Sequence, residues 1–265
     1  MTDKSRYIAP LIVFSLAIAA SLFVLDLYRV EPQDRTIRMA VDVPYEPFEY
    51  YDSDGNLTGF EIELGEAVCE EMGLYCQWVV QAWDDIIPGL LDRRYEVIFS
   101  SMSITPDRAE RVLFSAPYYT TPSGWFARQD AGFDPQSPAS MVGLRVGVQR
   151  GTIQDDYVTD YLEGIDVRRF STADDIVLDL EGGRLDAIFL DFPVGEQTIL
   201  GRPGYAVIGE PVNEPRHIFG DGVGAAFHPD EQELAETFNE GLRRVKENGT
   251  YEAIMNNYFA YDIMI

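Results

Sequence analysis

The feature that most constrains this chain is a strand–helix rhythm that runs, breaks and starts again. A β-rich run covers residues 36–41, and 48–51 and 57–60 flank the turn formers Asp52-Ser53-Asp54-Gly55-Asn56, which predicts a hairpin. Apolar residues at Ile62, Leu64, Ala67, Val68 and Met72 have helical spacing over 62–72. A strand over 77–80, a helix over 84–93 and a strand over 97–100 follow. The stretch 129–140, rich in Gly, Pro, Asp and Ser, interrupts the pattern. It resumes with a strand over 145–148, a helix from Gly151 and Thr152 to Tyr161, a strand over 166–170, a helix over 172–182 and a strand over 187–190. A strand over 223–227 and a long helix over 231–248 close the chain. Strands alternating with helices imply parallel α/β sheets, and two such runs imply two lobes.

Composition limits what those lobes can do. The 265 residues carry 45 Asp and Glu against 20 Lys and Arg, a formal net charge of −25. A phosphate backbone needs a basic face, so nucleic acid is excluded as a partner. Apolar residues make up 46% and aromatics 12%, enough for a substantial core and too much for wholesale disorder.

The N-terminus reads as a targeting segment. Lys4 and Arg6 precede an uncharged run over 7–25, ended by Asp26. That is the pattern of export, with the positive end left in the cytoplasm. Ala17-Ile18-Ala19 offers a cleavage site, yet the apolar run continues through Leu25 and is about long enough to span a bilayer. A cleaved signal peptide and an uncleaved anchor over 1–30 therefore both fit. Either places the remainder in the periplasm or on the outer face of the cytoplasmic membrane. Cys69 and Cys76 are the only cysteines. In an oxidising compartment the pair reads as a disulfide between a helix end and a strand start. Metal binding is the weaker reading, because two thiolates without a nearby His leave a site incomplete.

Common catalytic signatures are missing. There is no dinucleotide or phosphate-loop glycine pattern and no nucleophile elbow. His217 and His228 are the only histidines, and both sit in loop-like surface stretches. No cofactor or metal is expected. What stands out is Ser100-Ser101-Met102-Ser103-Ile104-Thr105-Pro106-Asp107-Arg108 after a strand. Hydroxyls and free N–H groups at the end of a parallel strand are where α/β sheets place ligands. Arg108 could hold a carboxylate with its fork. The same residues also fit a capped helix start with Arg108 on its surface.

Several motifs occur together in one order. They are Asp42-Val43-Pro44-Tyr45-Glu46-Pro47-Phe48, Asp54-Gly55-Asn56-Leu57-Thr58-Gly59-Phe60-Glu61-Ile62, the segment ending at Arg108, and Phe114-Ser115-Ala116-Pro117-Tyr118-Tyr119. Val146-Gly147-Val148-Gln149-Arg150-Gly151-Thr152, Gly183-Arg184-Leu185-Asp186-Ala187 and Asn248-Gly249-Thr250-Tyr251 follow. From about residue 37 to 262 the chain resembles family 3 of the extracytoplasmic solute-binding proteins, which serve polar amino-acid ABC transporters. It resembles the histidine-, lysine/arginine/ornithine- and octopine-binding proteins, and the two cysteines resemble the disulfide of the basic amino-acid binders.

The resemblance implies a two-lobed periplasmic-binding-protein fold of type II, with two parallel-type sheets flanked by helices and joined by a two-strand hinge. Lobe 1 would comprise 36–122 and 220–265, and lobe 2 would comprise 123–219. Carried over by position, Arg108 would hold a ligand α-carboxylate, helped by Ser101, Ser103 and the backbone at Thr152. Asp191 would take the α-ammonium. Tyr45 and Trp83 would pack over the ligand side chain, Asp42 would meet a distal cation, and Ser100 would complete the hydroxyl cluster. The implied function is non-enzymatic: capture of a polar, basic amino acid by lobe closure, as a monomer, and delivery to ABC permease membrane subunits. Ectoine or octopine capture and a cyclohexadienyl dehydratase-like activity on the same fold are the alternatives. Arg150, Ile153 and Phe192-Pro193 depart from the family pattern beside the expected site.

Overall fold

The computed structural model describes residues 36–265. The targeting segment expected over 1–30 lies outside them. Among the described residues no helix is long and apolar enough to cross a membrane.

The first half builds β1 (Thr36–Val41), the hairpin β2 (Tyr50–Tyr51) and β3 (Leu57–Thr58), α1 (Phe60–Met72), β4 (Tyr75–Val80), α2 (Ile86–Leu91), β5 (Val97–Ile98), α3 (Pro106–Ala109) and β6 (Leu113–Phe114). The second half adds β7 (Ser123–Arg128), β8 (Arg145–Gln149), α4 (Ile153–Tyr161), β9 (Asp166–Phe170), α5 (Ala173–Glu181), β10 (Ala187–Asp191), α6 (Phe192–Gly195) and β11 (Tyr205–Val207). The chain ends with α7 (Arg216–Phe219), β12 (Ala226–Phe227), α8 (Gln232–Glu247) and α9 (Thr250–Tyr258). One five-stranded sheet has the order β4-β1-β5-β12-β6 and the other β11-β7-β10-β8-β9. The parallel pairings expected of α/β units hold for β1 with β5 and for β8 with both β9 and β10. β12 and β7 run antiparallel to their neighbours, so both sheets are mixed. Single bridges join Tyr119 to Val223 and Ser123 to Val212, where the chain passes between the sheets.

Local chemistry accounts for the element ends. α1 buries Phe60, Ile62, Leu64 and Val68 and stops at Gly73, whose φ of 70° is the left-handed stop glycine supplies. The Cys69–Cys76 disulfide joins the last turn of α1 to β4 across a Cα separation of 6.0 Å. Thr152 and Thr172 cap α4 and α5 with their hydroxyls.

The helix expected over 84–93 is shorter. A 3₁₀ turn over Trp83–Asp85 precedes α2, and Arg93 at φ 57° takes the chain out of helix. Of the strand expected over 223–227 only β12 forms, because Val223 is engaged by single bridges instead. β7 was not legible as a strand. Its residues are buried nearly throughout, so the period-two alternation of a half-buried strand is missing.

The core is rich in aromatic contacts. Phe48 stacks on Tyr119 with ring centroids 5.3 Å apart, and Phe99 stacks on Tyr118 at 5.0 Å. In the second sheet Trp125 stacks on Phe189 at 4.3 Å. Rigid rings in close contact leave little room for the segments they carry to shift. Those segments include Asp42 to Glu49, Ser100 to Arg108 and Asp191, which meet at one cavity.

Candidate functional site

The cavity is lined by Asp42, Tyr45, Glu49, Trp83, Ser100, Ser101, Ser103, Arg108, Gln149, Thr152, Ile153 and Gln154. Eight of the nine ligand-site residues expected from the sequence are therefore brought together. The ninth, Asp191, joins them through hydrogen bonds. Its Oδ2 accepts from the Tyr45 hydroxyl at 2.7 Å and its Oδ1 from Gln154 Nε2 at 2.9 Å.

Arg108 sits in α3, which Thr105 caps by accepting the Arg108 N–H. The capped-helix reading is thus correct for the backbone, and the side chain still turns to the cavity. Its Nη1 donates to the Ser103 carbonyl at 3.1 Å, and its guanidinium lies over the Trp83 ring with Cζ 5.3 Å from the centroid. No ion pair among the described residues involves Arg108, although it is the one cation lining the cavity. Burial pulls its pKa down to about 10, which leaves it charged at neutral pH. A half-buried, unpaired guanidinium flanked by hydroxyls is a receptor for a carboxylate.

The acids form a linked series. The Asp42 N–H donates to Ser100 Oγ at 2.9 Å, and Ser100 Oγ donates to Glu49 Oε1 at 2.5 Å. Asp42 Oδ2 accepts from Gln149 Nε2 at 2.5 Å. Glu49 is fully buried, and its Oε2 has no partner among the described residues. Behind Ser101 lies Glu61, also fully buried, whose Oε1 accepts from the hydroxyls of Tyr119 at 2.7 Å and Tyr118 at 2.9 Å. The Ser101 N–H reaches the same oxygen at 3.2 Å, and Ser101 itself has φ 47°. Glu61 thus supports an unusual backbone shape at a hydroxyl of the site.

Desolvation dominates the titration of these groups. Burial raises Asp42 and Asp191 to about 6 and Glu61 to about 7. Burial and then the charge of Glu61 push Glu49 well above the carboxylate range.

The loop from Gln149 to Gly151 reaches across the cavity residue by residue. Gln149 bonds Asp42, Arg150 pairs with Asp84 at 2.9 Å, and the Gly151 carbonyl accepts from Trp83 Nε1 at 3.0 Å and Arg108 Nη2 at 3.4 Å. Arg150, a departure from the family pattern, is therefore held by an acid at the rim. Thr152 is occupied at the start of α4, where its hydroxyl donates to the Gln149 carbonyl and accepts from the Asp155 N–H. Ile153 lines the cavity, whereas Phe192 packs on Phe126 with centroids 5.9 Å apart.

Glu49, Gln149, Gln154 and Glu61 escaped the sequence reading as site residues. The one available signal was an acid at Glu49 between the aromatic residues Phe48 and Tyr50 in an expected strand. His217 and His228 lie outside the cavity, against Tyr161 and Arg93 respectively.

Residues 37–261 match the bacterial extracellular solute-binding proteins, family 3. The L-arginine-binding protein of Pseudomonas aeruginosa is 36% identical over 236 residues, 87% of this chain and 90% of that protein. The lysine/arginine/ornithine-binding periplasmic protein of Escherichia coli is 32% identical over 265 residues, 98% of each. Among solved structures, a Salmonella typhimurium periplasmic binding protein described for its high arginine specificity is similar with a TM-score of 0.81 and 28% identity, over 85% of this chain and 100% of that one.

Proposed function

The chain belongs to family 3 of the bacterial extracellular solute-binding proteins, and we propose that it captures a basic amino acid, arginine foremost, outside the cytoplasmic membrane and delivers it to an ABC permease. The observation that carries this reading is that one cavity is lined both by a cation without an ion pair, Arg108, and by a buried carboxyl with an unpartnered oxygen, Glu49. Arg108, Ser101 and Ser103 would take the α-carboxylate. Asp191, held between Tyr45 and Gln154, would take the α-ammonium. Tyr45 and Trp83 would flank the side chain, whose distal cation would meet Glu49. Asp42 takes a supporting part, because Gln149 already occupies its Oδ2.

Such a ligand pairs each charge that the cavity desolvates, and an unpaired buried charge is costly. A ligand with one carboxylate and one delocalised cation, such as ectoine, would satisfy Arg108 and Asp191 and leave Glu49 facing nothing. The relatives reported above are binding proteins, so a dehydratase reading is not adopted.

The two sheets support lobes at 36–122 with 220–265 and at 123–219, the chain crossing between the Tyr119–Val223 bridge of the first and the Ser123–Val212 bridge of the second. Closure of these lobes on the ligand would bury it. We take the protein to act as a monomer, either released after cleavage or anchored through residues 7–25.

Isothermal titration with arginine, lysine, ornithine, histidine, glutamine, citrulline and ectoine tests the reading. Micromolar or tighter binding of arginine is expected, with glutamine and ectoine far weaker. No heat from any basic amino acid would overturn it.

A further inference from the structure

Four carboxyl groups surround the cavity or lie directly behind it, and two of them differ from the others. Asp191 has hydrogen bonds on both oxygens, and Asp42 is held by Gln149 and by the Trp83 backbone. Glu49 and Glu61 each use Oε1 alone. Their Oε2 atoms are the two buried side-chain polar atoms without a partner among the described residues.

These two acids are held side by side at both ends. Gly59 has φ 129°, and a Cβ there would come within 2.2 Å of the Phe48 carbonyl oxygen, so glycine is required for the approach. The Glu61 N–H then donates to that same carbonyl at 2.9 Å, one residue before Glu49. At the other end, consecutive residues receive the two carboxyls: Ser100 donates to Glu49, and the Ser101 N–H donates to Glu61.

Two buried carboxylates in contact with the same short segments cannot both ionise cheaply. A single proton relieves the repulsion and supplies a donor where both orphan oxygens lack one. Glu61 is the better anion of the pair, since Tyr118, Tyr119 and the Ser101 N–H all donate to it. Glu49 receives one serine hydroxyl and faces further negative charge from Asp42 and Asp191. Tyr45, Tyr118 and Tyr119 are neutral neighbours, and Arg108 is the only positive charge lining the cavity.

We propose that Glu49 and Glu61 hold one proton between them in the ligand-free protein, and that a cationic ligand side chain expels it to solvent on binding. The inference rests on the reading of Glu49 as the acid that meets the ligand's distal cation. In the exchange the Glu49 O–H bond breaks, its electron pair stays on the carboxylate, and the proton passes to buffer. The ligand cation takes its place as donor to Oε2. Capture of a cationic ligand is then favoured by rising pH until the pair is ionised, by about tenfold per pH unit at full coupling. A neutral amino acid shows only the dependence below about pH 6 that Asp191 gives to every α-ammonium.

The test is isothermal titration of wild-type protein with arginine at pH 7 in phosphate and in Tris, whose ionisation enthalpies differ. The change in apparent enthalpy between buffers is expected to report release of about half to one proton. Citrulline, with a urea in place of the guanidinium, is expected to release far less, only the small share that Asp191 gives up to any α-ammonium. Glu49→Gln is expected to weaken arginine and abolish the buffer dependence. Glu61→Gln is expected to reduce release at pH 7, because Glu49 then ionises more readily alone. Arginine binding without proton release overturns the exchange and leaves the basic-ligand reading intact; absence of arginine binding overturns both. Equal release with citrulline, or release retained in Glu49→Gln, places the proton elsewhere and overturns the exchange. If Glu49→Gln does not fold, the wild-type comparison of arginine with citrulline decides.

Discussion

The two walls of the cavity differ in kind. The wall carried by the first sheet is ionisable: Asp42, Glu49 and Arg108 line it beside three serines, with Glu61 and a layer of stacked aromatic rings behind. The wall carried by the second sheet is mostly neutral. It offers Gln149, Thr152, Ile153 and Gln154, and its one charge, Asp191, is already clasped by Gln154 and Tyr45. The difference teaches a division of labour. Fixed charges on a rigid support select the ligand, because an unpaired buried charge penalises any molecule that fails to match it. Amides and carbonyls on the second wall fasten to the first through bonds that are individually weak and exchangeable.

Removing the first wall's cation should have the largest effect. Arg108→Ala is expected to weaken every α-amino acid by about 100-fold or more, read by isothermal titration. Affinity kept within a few-fold would show that charge on this wall does not govern capture.

Next comes the second wall's single charge. Asp191→Asn is expected to cost about 30-fold for basic and neutral amino acids alike, since all carry an α-ammonium. Loss confined to basic ligands would assign Asp191 to the ligand side chain instead.

Selectivity should follow the first wall. Glu49→Gln is expected to cost arginine about tenfold while sparing glutamine. Asp42→Asn should cost less, because Gln149 engages that carboxylate. The reverse order would move the distal cation to Asp42.

Stability without ligand supplies a fourth measurement. Burial holds Asp42 and Asp191 near 6 and Glu61 near 7, above the values such groups have in an unfolded chain. The folded state then binds more protons than the unfolded one, so stability is greatest below about pH 4, the unfolded range of these acids, and falls as pH rises toward 7. Calorimetry should show the ligand-free melting temperature dropping by several degrees over that window. Glu61→Gln should flatten the trend, and a melting temperature that climbs from pH 4.5 to 7 in both proteins would contradict it.

The smallest effect is expected at the rim. Arg150 and Asp84 are partly exposed, so Arg150→Ala should change affinity less than about fivefold, chiefly through faster ligand dissociation. Stopped-flow dissociation unchanged from wild type would reduce the pair to a surface contact of no consequence for closure.

Much of the first wall was legible. Arg108 and the serines stand in one short segment after a strand, and local order is enough to expose them. The helices α1, α4, α5 and α8 announce themselves through apolar spacing and capping residues. Glu49, Glu61, Gln149 and Gln154 were not legible as site residues. An acid or amide on a regular element has the same letter whether it faces water or a cavity. β7 was missed because a uniformly buried strand shows no alternation.

By itself the sequence determined the α/β rhythm, the hydroxyl-and-arginine segment and the exclusion of nucleic acid, because periodicity and side-chain chemistry act over a few residues. Only the tertiary structure decided who faces whom. Gln149 lies 107 positions from Asp42, and Asp191 lies 146 from Tyr45, so those bonds depend on two separate sheets meeting. It also decided which acids are anions and which hold a proton, since ionisation follows desolvation and neighbouring charge, and neither exists until the chain has folded around them.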